Sequence, residues 1–375
     1  MSDPAGPLRL ATRGSDLARR QAGAVASALE DHRVDVELVE VTTTGDELRD
    51  ELIHDLGTVG AFVRALDLEV IDGYVDAAVH SMKDVPTDQP ETLAVAGVPE
   101  RAAAEDVLVT PSGDGLESLP AGATVGTASL RRGAQLQAYR DDLVVEPVRG
   151  NVDTRIEKLL APHLQREHER RLEAAEDDKS DGDAEGAESV DRFERSIDAW
   201  FNDLAEIERR ALERSVETEY DGLVLAAAGL DRSGLTHHLD PTTLDPTTFV
   251  PAPGQGALAV TARAGGDVAS LLHDVLDHPP TRVTTTVERT ILSELGGGCV
   301  APVGIHARLR GSVVATTVRV QSRDGTEEVA GARELPVEDH AAAAASFAAD
   351  LADRGAADLI ETARRAEPDE PKRSQ

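Results

Sequence analysis

Two stretches of this chain are built alike, and that repetition limits the fold more than any other feature. In residues 8–30 the short apolar run Leu8-Arg9-Leu10-Ala11 leads into the turn Thr12-Arg13-Gly14-Ser15. Leu17, Val25 and Leu29 then follow at helical spacing. In residues 123–140 the run Ala123-Thr124-Val125-Gly126 leads into Thr127-Ala128-Ser129, and Leu130, Leu136 and Tyr139 follow. A second pair, Tyr74–His80 and Tyr220–Ala227, reads as buried parallel strands. The expected fold class is therefore α/β: two doubly wound domains with a cleft between them, ligands lying at the carboxyl ends of the strands.

The remaining segments complete this organisation. Phe249–Ala257 is rich in proline and glycine and reads as a hinge back to the first domain. From about Thr281 a helix leads to a loop, and alternating runs at 303–310, 312–322 and 326–332 precede an alanine-rich helical segment at 339–365. That is a small α+β third domain. The expected division is 1–99 plus about 255–275 for domain 1, 100–250 for domain 2 and 280–366 for domain 3, with 367–375 a disordered tail. Residues 161–219 read as an insertion in domain 2 without chemistry. Its run Glu173 to Glu188 is expected to be a solvated linker, and the stripe Val190 to Leu212 a surface helix.

Composition narrows the partners. The net charge is −32, with 70 acidic against 38 basic residues, which argues against nucleic-acid binding through a basic surface. Lysine occurs only at 83, 158, 179 and 372. An acidic, lysine-poor surface suits a halophile, because at about 1 M salt the Debye length is only about 3 Å and repulsion between carboxylates is screened. No apolar run reads as a signal peptide or a membrane span, so a cytoplasmic protein is expected. The eleven histidines are scattered, with His237 and His238 adjacent rather than at ligand spacing, and no metal site is expected.

The single cysteine, Cys299, sits in Leu295-Gly296-Gly297-Gly298-Cys299-Val300-Ala301-Pro302. It can be a small buried hydrophobe or a thiol placed on a bare loop for covalent chemistry. Both repeated turns join hydroxyls to arginines at a helix N-terminus. Arg13 and Ser15 stand in one, Thr127, Ser129, Arg131 and Arg132 in the other, and each is either a capped helix or an anion site. Arg149 and Arg155 add to an arginine supply suited to carboxylates, and Lys83-Asp84 stands at a strand end. Together they point to a small polyanionic ligand.

Six motifs carry a resemblance to one family. They are Ala11-Thr12-Arg13, Ala78–Pro86, Gly126–Arg132, Val148–Val152, Gly254–Ala257 and Gly297-Gly298-Cys299. In this order and spacing they resemble the porphobilinogen deaminase, or hydroxymethylbilane synthase, family of tetrapyrrole biosynthesis. The resemblance implies two domains like those of periplasmic binding proteins, a third carrying the cysteine, and a monomer. It implies a dipyrromethane cofactor joined by thioether to Cys299, on which four porphobilinogen molecules are condensed with loss of four ammonia before water releases the linear product. By carry-over, Lys83, Thr127, Ser129, Arg131 and Arg132 hold the cofactor, Arg13, Ser15, Arg149 and Arg155 hold substrate carboxylates, and Asp84 is catalytic. A fixed carboxylate there would stabilise the cationic azafulvene left by ammonia loss and assist proton transfer.

Two departures stand out: Val59 occupies the position of an expected loop lysine in Gly57–Phe62, and Arg101–Asp106 lacks a usual proline. Two rival readings are a binding module for a dicarboxylate and a cysteine-nucleophile hydrolase using His80. Cys299→Ser separates them: a binder keeps affinity, a hydrolase loses turnover, and the deaminase cannot assemble its cofactor.

Overall fold

The computed structural model describes residues 6–41, 61–181, 193, 196–297 and 301–365. The first lobe begins with β1 (Leu8–Thr12), β2 (Val36–Glu40), β3 (Ala77–Ser81) and β4 (Leu93–Gly97). The chain then builds the second lobe from β5 (Asp106–Val109), β6 (Thr124–Gly126), β7 (Val144–Glu146), β8 (Gly222–Ala226) and β9 (Thr242–Thr243). It returns to the first lobe as β10 (Leu258–Arg263). The sheet orders are β2-β1-β3-β10-β4 and β7-β6-β8-β5-β9. In each, the central strand pairs parallel on one side, β3 with β1 and β8 with β6. On the other side it pairs antiparallel, β3 with β10 and β8 with β5.

The expected parallel strands are thus correct in position and half correct in direction. A strand covered on both faces shows no alternation, so its residues carry no sign of which way its neighbour runs. Direction follows from the connections. Each crossing between lobes leaves an edge strand of one, β4 or β9, and enters the other as the antiparallel strand, β5 or β10. The two crossings lie side by side and form the hinge.

The repeated strand–turn–helix units form as their sequences dictate. Helix Asp16–Glu30 starts where the Ser15 hydroxyl accepts from the Ala18 N–H, and it buries Ala22, Val25 and Leu29 against the first sheet. Burying a side chain such as Leu29 stabilises by about 1.5–3 kcal/mol. Helix Leu130–Tyr139 starts the same way, with the Ser129 hydroxyl accepting from the Arg132 N–H.

The third domain is an antiparallel meander of β11 (Val303–Arg310), β12 (Val313–Gln321) and β13 (Glu328–Pro336). The β11–β12 turn is Gly311-Ser312, and Gly311 at φ +60° takes the left-handed conformation a tight hairpin needs. Helices Pro279–Glu294, His340–Asp353 and Ala356–Arg365 cover the sheet. Val287, Ile291, Ile305, Val318, Phe347 and Leu351 form the core between them. The three strands and the helical segment fall where expected, except that the third strand runs on to Pro336 rather than ending at 332.

The insertion expected at 161–219 is not separate from its lobe. A single helix runs from Val152 to Asp181, so the acidic run is helical from Glu173 to Asp181 rather than a linker. Ala161, Leu164, Leu204, Ile207 and Ala211 are buried with Val107 and Leu223 in the second lobe's core. The physical reason lies in composition: Glu, Ala, Arg and Leu are strong helix formers, and the half-buried pair Glu167–Arg171 at i,i+4 supports the helix. The expected surface helix is two short ones, Ile197–Asp203 and Glu206–Leu212. Residues 182–192 lie outside the described residues.

Candidate active site between the lobes

A cavity of about 330 Å³ lies between the lobes. From the first lobe, Arg13 and Ser15 line it from the turn after β1, and Lys83 and Asp84 from the single 3-10 turn Met82–Asp84 after β3. From the second lobe, Gly150, Asn151 and Arg155 line it at the start of the long helix. One side is closed by Arg20, whose guanidinium donates to the Ser233 carbonyl at 2.9 Å. That carbonyl ends helix Ala227–Ser233, where partial negative charge accumulates.

The cavity mixes charges: Arg13, Arg20, Lys83 and Arg155 line it together with the carboxylates of Asp16, Asp84 and Asp153. Lys83 faces the open cavity with protein from both lobes around it. That desolvation lowers its pKa from the ordinary lysine value, the neighbouring Asp84 pulls the other way, and Arg132 adds to the lowering. Arg155 is held at about 10, mainly by burial and then by Arg132, while its Nε donates to the Gly150 carbonyl at 2.8 Å. Asp153, also on the wall, is raised by burial.

Five of the candidate residues therefore meet in one cavity: Arg13, Ser15, Lys83, Asp84 and Arg155. The other described candidates do not line it. Arg131 and Arg132 are buried around Asp106: Arg131 Nη1 lies 2.8 Å from Asp106 Oδ2 and donates to the Val250 carbonyl at 2.7 Å. Arg132 Nε donates to Asp106 Oδ1 at 2.9 Å and its Nη2 to Gln255 Oε1 at 3.2 Å. Gln255 in turn donates to the Ala104 carbonyl and to Asp106, so the cluster joins the two crossings of the hinge. Burial alone would raise the Asp106 carboxyl, but the two guanidiniums outweigh it and hold it at about 2. Thr127 is buried and its hydroxyl accepts from the Ser129 N–H, Ser129 caps its helix, and Arg149 is exposed outside the cavity. Arg132 still reaches the site through its field on Lys83 and Arg155.

Cys299 and the loop around Val59 lie outside the described residues. The described flanks of the cysteine loop are Gly297, after helix Pro279–Glu294 has ended, and Ala301, just before β11. The histidine that the hydrolase reading requires is already engaged: His80 Nε2 lies 3.0 Å from Asp67 Oδ1 and 3.1 Å from Thr261 Oγ1, all buried. Sequence reasoning missed this cluster and the hinge carboxylates. Their signal was only that His80, Arg101, Asp106 and Gln255 stood inside or beside the recognised motifs.

Two α/β lobes meeting at a cavity lined by arginines, a lysine and carboxylates define a protein with an interlobe site for a small charged molecule. The comparisons narrow this. The family model for the porphobilinogen deaminase dipyrromethane cofactor binding domain matches residues 8–166 and 205–270, and that for the porphobilinogen deaminase C-terminal domain matches 283–353. The chain belongs to the porphobilinogen deaminase family, a family of transferases. A curated relative from Halobacterium salinarum, named a probable porphobilinogen deaminase, is 55% identical over 95% of this chain and 98% of its own. The porphobilinogen deaminase of Deinococcus radiodurans is 34% identical over 94% of this chain and 97% of its own. Among solved structures, the methionine-binding protein MetQ covers 72% of this chain and 89% of its own at 10% identity and a TM-score of 0.34. A YaeC-family lipoprotein from Enterococcus faecalis covers 72% and 91% at 13% identity and 0.33. At those scores the fold assignment rests on the sheet orders. The stretch 167–204, within the expected insertion, falls outside both family models. Among the described residues, no helix is long and apolar enough to cross a membrane.

Proposed function

We propose that this chain condenses four porphobilinogen molecules head to tail with loss of four ammonia and releases linear hydroxymethylbilane by hydrolysis. The observation that carries the reading is the convergence, from both lobes, of Arg13, Lys83 and Arg155 around Asp84 in one cavity. Porphobilinogen carries an acetate and a propionate, and guanidinium and ammonium groups are the donors such carboxylates need. The same donor set fits a dipyrromethane, whose side chains are also acidic. Bound by thioether to Cys299, that group would supply the primer with a free pyrrole α-carbon as nucleophile.

The chain's own residues take the following roles. Arg13, Ser15 and Arg155, with Arg149 at the rim, hold substrate carboxylates. Lys83, Thr127, Ser129, Arg131 and Arg132 serve the cofactor side, Arg132 through its field as well as any direct contact. When the aminomethyl C–N bond of porphobilinogen breaks, ammonia leaves and positive charge spreads over the pyrrole; the Asp84 carboxylate stabilises that charge through the ring N–H. After the new carbon–carbon bond forms, Asp84 helps carry away the proton the attacked ring must lose.

The proposal extends to a monomeric, cytoplasmic protein working in concentrated salt without nucleic-acid partners, supported by the charge of −32 and the Halobacterium relative. The domain division is proposed as 1–99 plus 255–275, 100–250 and 280–366. The test is the intact mass of the denatured protein beside Cys299→Ser. An excess of two linked pyrrole units on the unsubstituted chain alone is expected. A bare mass after expression with ample porphobilinogen would overturn the reading and leave the cavity a binding site.

A further inference from the structure

The helix Pro279–Glu294 touches more of the machinery than its place in the third domain suggests. Its arginines 282 and 289 are seven residues apart, two turns along one stripe. Both fork onto backbone carbonyls of the first lobe. Arg282 donates to the carbonyls of Val95 at 2.9 Å and Ala96 at 3.1 Å. Arg289 donates from Nη1 to the Val85 carbonyl and from Nη2 to the Pro86 carbonyl, both at 2.7 Å. Those are the two residues that follow Asp84.

The turn that presents Asp84 is held at its exit by this fork and by the burial of Val85. Its entry is fixed: the Met82 N–H donates to the Ala257 carbonyl at 3.0 Å, and His80 just before it is locked by Asp67 and Thr261. Its own closure is one bond, from the Val85 N–H to the Met82 carbonyl at 3.1 Å. Met82 and Val85 pack with Val98, Ala257 and Ala259, while on the helix side a groove of about 340 Å³ runs between Met82 and Thr286, Thr290 and Ser293. The Arg289 fork spans the gap, and burial around its guanidinium lowers its pKa. The preceding residue, Glu288, is fully buried and binds the hinge: its carboxylate accepts from Arg101, from the Gly254 N–H and from the Ala307 N–H.

We infer that Arg289 is a positioning residue for Asp84, fixing the catalytic carboxylate to the helix whose far end leads into the cysteine loop. This rests on the role proposed above for Asp84. A helix that holds the hinge through Glu288 and the turn through Arg289 keeps the carboxylate fixed relative to the hinge. A misplacement of about 1 Å at a reacting group costs on the order of 10²-fold in rate.

The test uses holoenzyme, checked by intact mass for the two linked pyrrole units, and compares Arg289→Met, which keeps the side-chain length, with Arg289→Lys, which keeps a donor. Arg289→Met is expected to lower kcat roughly 10- to 100-fold, with KM for porphobilinogen, covalent mass and melting temperature near those of the unsubstituted protein, and Arg289→Lys to recover part of the loss. The same pair is then measured in an Asp84→Glu background, where little further loss is expected because the carboxylate is already displaced by the added methylene. Full additivity, an unchanged kcat, or a loss matched by missing cofactor or a lowered melting temperature would overturn the assignment of Arg289. An Asp84→Glu holoenzyme with unaltered kcat would instead remove the reading of Asp84, and the positioning role with it.

Discussion

The two lobes share a sheet order and a strand–turn–helix opening, yet their charged turns do opposite work. In the first lobe, Arg13, Lys83 and Asp84 face the cavity. In the second, Arg131 and Arg132 turn inward on Asp106 and Gln255, where the chain crosses between lobes. The duplication is one of fold, and the chemistry is divided: the first lobe presents Asp84 beside Lys83 to the cavity, and the second buries Asp106 to hold the hinge. A buried carboxylate with two guanidiniums and an amide is tied down; one on a single exposed turn is free to meet a substrate-borne charge.

Asp84→Asn removes that charge without changing shape, and turnover should fall by roughly 10²- to 10⁴-fold, with the urea unfolding midpoint unmoved. Asp106→Asn should do the reverse. It leaves two buried guanidiniums without their counter-charge, at a cost of about 3–5 kcal/mol in stability, measured by denaturant unfolding. The pH dependence sharpens the contrast. The folded Asp106 carboxyl is held at about 2, below its ordinary value, so its stabilisation is present above pH about 4 and is lost as pH falls toward 2. The native protein should lose on the order of 2 kcal/mol over that interval, and Asp106→Asn should lack this limb.

How much of this was legible in the sequence differs between the lobes for a physical reason. Ser15 and Ser129 announce their helices locally, through a cap three residues from its partner. Lys83-Asp84 at the end of an apolar run was legible as a turn facing the cleft. The burial of Arg131 and Arg132 was not, because it depends on Asp106 and Gln255, which lie 26 residues before and 123 residues after their arginine partner. The antiparallel course of β5 and β10 was hidden for the reason all doubly covered strands hide it. The helical stretch from Glu173 to Asp181 was misread because helix-forming acidic residues and a solvated linker share a composition.

The third domain offers an intermediate case. His306 on β11 is pushed down to about 4 by burial, then by Arg101 of the crossing and by Arg308. Its folded pKa lies below the unfolded value, so the unfolded chain takes up the proton first and stability declines as pH falls from about 6.5 to about 4. The loss should reach up to about 3 kcal/mol, and His306→Gln should flatten it in thermal melts across that range. The smallest effect belongs to the cavity's shared wall. Arg155→Gln should raise KM for porphobilinogen about 10-fold, the worth of one charge-assisted hydrogen bond open to water, with kcat within a few-fold; initial-rate kinetics decide it.

The division between the lobes is tested most directly by rapid-quench measurement of ammonia released from porphobilinogen. The proteins to compare are the native, Asp84→Asn and Asp106→Asn holoenzymes, each paired with its unfolding midpoint. Asp84→Asn should release ammonia at least about 100-fold more slowly at an unchanged midpoint, while Asp106→Asn should unfold early yet release ammonia, per folded molecule, within several-fold of the native rate. Native-rate release by Asp84→Asn, or a loss that merely follows its midpoint downward, would contradict the account.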